Sequence, residues 1–289
     1  MWSNNILYFC FLIQILFISF YIPSRIVAQM KTVLEQFSPS EYPKLYPVSK
    51  DEIEKWINHY WLANMVVLSA GFGILIHGFY TGVEQLLGFS NKGVVFTYFM
   101  LQYLPILLLE YSNCNYLKKM RQSDHGAKRK AVLSRRSFFD YVDGMWLFAT
   151  LFSHLIFAGV IIFFMLNPFK GFGGLSNVLI LFIMDVFFVS IVAWNIFGKK
   201  RNPHQSAEDR DKILKNITTA MFLTVNLVII FIVFNLFNKA YGSPALKDTG
   251  LVVYFIVLSV ISMRSMIVDV KTLDFDVYRD SSHNKETSA

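Results

Sequence analysis

The sequence predicts an all-α fold: a polytopic helical membrane bundle of six transmembrane helices, with a seventh at the N-terminus as an additional candidate. Three observations predict it. The 289 residues are 54% hydrophobic and only 16% charged, with a mean hydropathy of +0.44, whereas soluble domains carry about 25% charged residues. Six separate apolar stretches approach the roughly 20 residues that a helix needs to cross about 30 Å of hydrocarbon with its backbone groups satisfied internally. Basic residues, finally, collect in alternate loops, as the positive-inside rule requires.

The first element is the segment 1–29. Its apolar run from Ile6 to Ile22 is interrupted by Gln14 and Ser19 and stops at Pro23. A cleaved signal peptide fits poorly, because the nearest basic residue, Arg25, follows the apolar run. Two readings stay open: a seventh helix with its N-terminus outside, or a protein that begins at Met30.

Residues 30–60 read as a cytoplasmic Pro-rich arm and helix lead-in. Pro39, Tyr42, Pro43, Tyr46 and Pro47 forbid a helix and favour an extended connector on the cytoplasmic face. Ser49 followed by Glu52 is a capping-box pattern that starts a helix through Ile53 and Ile57.

The membrane domain, 61–268, holds spans from Trp61 to Tyr80, Val94 to Glu110, Met145 to Leu166, Asn177 to Phe197, Ile217 to Phe237 and Gly250 to Val268. Pro105 predicts a kink in the second. Ser137 with Asp140 announces the third span and Ser206 with Asp209 the fifth. Glu208 with Lys212 and Asp211 with Lys215 add i,i+4 pairs to the lead-in of the fifth. The polar tail 269–289 is placed in the cytoplasm, its terminal run disordered.

Loop charge sets the orientation. Loops 115–136 and 198–216 hold eight and six basic residues, while 81–93, 167–176 and 238–249 hold one, one and two. The arm and the C-terminus are therefore expected inside the cytoplasmic (inner or plasma) membrane. This placement also accounts for the net charge of +7 without nucleic acid, which is not expected as a partner. The cluster Lys128, Arg129, Lys130, Arg135 and Arg136 reads as a topogenic loop facing lipid or a cytoplasmic protein.

Few motifs carry chemistry. Cys10 and Cys114 have no metal or redox spacing, so neither a metal nor a cofactor is expected. Gly88 to Gly93 fails the nucleophile-elbow spacing, and no P-loop or paired zinc histidines occur. Enzymatic activity is not expected.

Polar residues at membrane depth are the remaining leads, since a central charge costs about 2.5–3.5 kcal/mol on insertion scales. Asp185 lies 12 residues from the inner end of its span. His154, Asn226 and Gln102 lie 9, 9 and 8 residues in, at depths of roughly 12 to 14 Å. Facing one another, the four would make a polar core able to hold or relay a proton. The function this supports is binding or transport of a small solute or ion, proton-linked through Asp185 and His154. The alternative is a non-catalytic scaffold or assembly factor holding cytoplasmic partners through its basic loops and arm.

Overall fold

The computed structural model describes residues 2–81, 87, 89–123, 137–198, 202–242, 244–264 and 273–279. Among them the regular structure is entirely helical, and seven helices are long and apolar enough to cross a bilayer. The basic residues Lys128, Arg129, Lys130, Arg135 and Arg136, and the terminal run of the tail, lie outside the described residues.

The chain opens with α1 (Trp2–Leu16), a π-helical turn (Phe17–Tyr21) and α2 (Ile22–Gln36), which follow one another without a break. Pro23 has no N–H to give to the preceding turn. The wider turn, in which the Ile22 N–H reaches back to the Phe17 carbonyl, accommodates that missing rung. The apolar N-terminal segment is a full member of the bundle. Phe11, Ile15 and Ile18 are completely buried, packed among α3 (Lys50–Thr81), α4 (Asn91–Ser123) and α8 (Pro244–Met263).

Between helices this apolar, close approach and interhelical hydrogen bonds count for more than burial of area, because lipid tails are as apolar as leucine. Gly71 shows the first. A Cβ built there would lie 2.2 Å from the Tyr98 hydroxyl oxygen, while that hydroxyl donates to the Val67 carbonyl at 3.0 Å. Tyr103 shows the second, its hydroxyl meeting Ser259 and Ser262 of α8 at 3.2 and 3.0 Å. Gly73, of the same small-residue stretch, has nothing near it.

The second half of the bundle is α5 (Gly144–Leu166), α6 (Ser176–Phe197) and α7 (Ala207–Tyr241), built around Phe157, Ile161, Phe164 and Ile229. α7 joins the halves by packing on α8, where Phe231 and Tyr254 stack at 4.2 Å. On α5 and α6, Phe148, Leu151, Leu155, Phe182, Ile183 and Phe187 are all more than half exposed. Such a continuous apolar surface is the kind that lipid covers.

The local signals resolve as follows. Ser49 and Ser206 accept from the backbone N–H of Glu52 and Asp209. The Ser137 and Asp140 box is present but closes a separate 3-10 turn, Phe138–Asp140, and α5 is capped by Asp143, which accepts from the Met145 N–H. Glu208 pairs with Lys212 at 3.0 Å. Asp211 instead accepts from the Tyr141 hydroxyl at 2.9 Å, tying the α5 lead-in to α7. α4 is unbroken on both sides of Pro105, with the proline buried. The last helix starts at Pro244, ahead of the expected Gly250, because a proline suits a first helical turn whose N–H groups are unpaired anyway.

The proline-rich segment does connect α2 to α3, but it lies folded on the helix ends. Tyr42 and Leu45 are buried against Met120 and Tyr278. Phe37 stacks on Phe275 at 4.1 Å, and Arg279 reaches Glu41 and Tyr42 at 2.6 and 2.8 Å. Burial pushes the Tyr46 and Tyr278 hydroxyls above their ordinary range; for Tyr278, a hydrogen bond from Asn202 partly offsets this.

Candidate proton-binding site

α5 brings Thr150 and His154 to one face, one helical turn apart. α6 supplies Asp185 and α7 supplies Asn226. His154 Nε2 lies 2.9 Å from Asp185 Oδ2, and His154 Nδ1 lies 2.7 Å from the Thr150 carbonyl oxygen. Asn226 Nδ2 donates to Thr150 Oγ1 at 2.8 Å and to the Phe222 carbonyl at 2.8 Å. Three helices are thus stitched together by polar side chains in otherwise apolar surroundings.

The hydrogen-bond chemistry fixes one proton. A carbonyl oxygen only accepts, so Nδ1 carries a hydrogen. Nε2 then faces a carboxyl oxygen at bonding distance, which needs a hydrogen between them. It comes either from a doubly protonated imidazole or from a protonated carboxyl. Both descriptions contain the same number of protons, so in this geometry one hydrogen is shared between Nε2 and the carboxyl oxygen. With a hydrogen on Nδ1 alone, Nε2 and the carboxylate would present lone pairs to each other at 2.9 Å. The two side chains are partly buried, with 33% and 29% of their surface accessible.

Three of the four sequence-selected residues, His154, Asp185 and Asn226, therefore belong to one cluster. Gln102 does not. It sits in the other half of the bundle, fully buried, where its Oε1 accepts from Gln14 Nε2 at 2.9 Å and its Nε2 donates to Ser19 Oγ at 2.9 Å. Depth along a helix axis does not determine azimuth, and α4 turns this residue toward α1. Thr150 was missed, although it lies four residues before His154, the spacing at which helical neighbours stack. Among the described residues no three His, Cys, Asp or Glu side chains converge.

Comparison of the chain with family models, with curated proteins and with solved structures finds no match. The reading of this site rests on its own geometry.

Proposed function

We propose that the protein is a multi-pass protein of the cytoplasmic membrane, arm and C-terminus inside, that binds or moves a small solute or ion in step with a proton held by His154 and Asp185. The observation that carries the proposal is the 2.9 Å contact between Nε2 and Oδ2, with Nδ1 committed to a carbonyl. An ionisable pair at membrane depth is costly, and such residues recur in ion and proton pathways.

The geometry suggests how the proton acts. α5 is tied to α7 through Thr150 and Asn226 independently of the proton. α6 meets α5 through the His154–Asp185 contact and through apolar packing of Leu181 with the Phe157, Ile161 and Phe164 cluster. Protonation strengthens the α5–α6 polar contact and deprotonation weakens it, while α6 stays packed on α7, and a solute that favours one protonation form biases that balance. The scaffold alternative has less to draw on, since the arm's aromatic residues are engaged within the chain.

The test is proton movement in proteoliposomes that enclose a pH-sensitive dye, with gradients of small cations, anions and neutral solutes applied in turn. At least one gradient should drive proton flux in the native protein, and Asp185→Asn should abolish it. Flux unchanged in Asp185→Asn would remove the mechanism.

A further inference from the structure

Residues 273–279 lie across the end of the bundle that carries the arm, and they touch both halves. Toward the first half, Phe275 stacks on Phe37, which caps α2, and Tyr278 is buried with Tyr42, Leu45 and Met120, the last of these on α4. Arg279 adds its bonds to Glu41 and Tyr42. The arm is a fixed support here, because the Tyr116 hydroxyl of α4 donates to the Leu45 carbonyl.

Toward the second half the same short segment makes a different set of contacts. Asn202 Nδ2 donates to the Tyr278 hydroxyl oxygen. Asn202 Oδ1 accepts from the His204 N–H at 3.0 Å, which fixes the end of the amide that faces the tyrosine. Asp209, in the first turn of α7 and 4% exposed, accepts from the Asp274 N–H at 3.2 Å. This support is fixed too, since Arg210 Nη2 donates to the Gly198 carbonyl at 3.1 Å and so ties the end of α6 to the start of α7.

Elsewhere the packing that joins the two halves runs chiefly along one pair of helices, α7 on α8. A single seam of that kind leaves its partners a rotation about it, the motion by which hinged bodies open. Residues 273–279 bridge the same two halves a second time, and a second attachment removes that rotation. From these contacts we infer that this segment is an intramolecular strap. Seated, it holds the ends of the two half-bundles at one separation; lifted, it lets them turn about the α7–α8 seam. Held by aromatic faces and a few hydrogen bonds, it is a unit that can open locally while both halves stay folded. It shares no residue with the His154–Asp185 pair, and the inference does not rest on the reading of that pair.

The test is the distance between the halves in the full-length protein in lipid nanodiscs. Spin labels are placed on Cys114 of α4, which is exposed, and on α7 through Lys215→Cys, with Cys10→Ser to keep the labelling specific. Dipolar electron spin resonance then compares the intact tail with a chain ending after residue 272, and with two pairs of substitutions in the supports: Phe37→Ala with Tyr42→Ala, and Asn202→Ala with Asp209→Ala. The intact tail should give one narrow distance distribution and the shortened chain a broad one. A strap cut at one end restrains nothing, so either pair alone should broaden the distribution as much as the deletion does, and combining the pairs should add no more. Helix content should be unchanged throughout; if a substituted form loses it, the deletion decides alone. A distribution unaffected by the deletion, or by either pair, would overturn the assignment.

Discussion

Gln14 of α1 and Gln102 of α4 meet amide to amide at 2.9 Å, both completely buried, in the middle of the first half-bundle. The N-terminal helix is therefore joined to the rest by a specific polar contact as well as by Phe11, Ile15 and Ile18. Gln102→Leu leaves the Gln14 side chain and Ser19 without their partner, and it should destabilise the protein by about 1–3 kcal/mol. The double variant with Gln14→Leu should recover part of that loss. Reversible unfolding in mixed micelles measures both, and a double variant no better than the single would show that the amides do not act as a pair.

Gly71 is fixed by space. Gly71→Ala puts a methyl group against the ring and hydroxyl of Tyr98, so the buried Tyr98 side chain or the helices themselves must shift, at a cost of about 1–3 kcal/mol. Gly73→Ala, with open space at the same point, should change stability little. Thermal unfolding of the two variants side by side gives the contrast, and equal melting temperatures would contradict the close approach.

Thr150 offers a milder test. Thr150→Val removes the oxygen that accepts from Asn226 and leaves the carbonyl that holds His154. Hydrogen bonds between membrane helices average about 0.6 kcal/mol, so the loss should be of that order. The protonation behaviour of His154 should stay unchanged, as read by nitrogen NMR of the labelled imidazole.

The contact between arm and tail is expected to weaken in alkali. Tyr46 and Tyr278 have hydroxyls raised above the ordinary value of 10.0, chiefly by burial. Below that value both folded and unfolded forms are neutral, and the stabilisation is complete. As pH rises above it, the unfolded form ionises first, so stability falls until the folded hydroxyls ionise too. Hydrogen exchange of the arm amides should therefore accelerate above pH 10.0, and the step should shrink in Tyr278→Phe. Exchange independent of pH after correction for the intrinsic rate would contradict it.

Much of the fold was legible because bilayer physics writes itself in runs of apolar residues. The caps at Ser49 and Ser206 were readable for the same reason: capping is a local pattern. Ser137 shows the limit, since a capping box is identical in sequence whether it opens a long helix or one 3-10 turn. At the site, counting residues along each span selected His154, Asp185 and Asn226, which the structure brings into one cluster. It could not give the rotation of each helix, and so it added Gln102, which faces α1. Nor could it find Thr150, an ordinary helix residue until His154 and Asn226 both turn to it.

The central claim is that His154 and Asp185 share one hydrogen, and nitrogen NMR of the labelled imidazole tests it most directly. Nδ1 should carry a hydrogen and Nε2 should be hydrogen-bonded to the carboxyl group, and Asp185→Asn should change the Nε2 signal while leaving Nδ1 as it is. An Nδ1 without hydrogen, or an Nε2 signal indifferent to Asp185→Asn, would contradict the account.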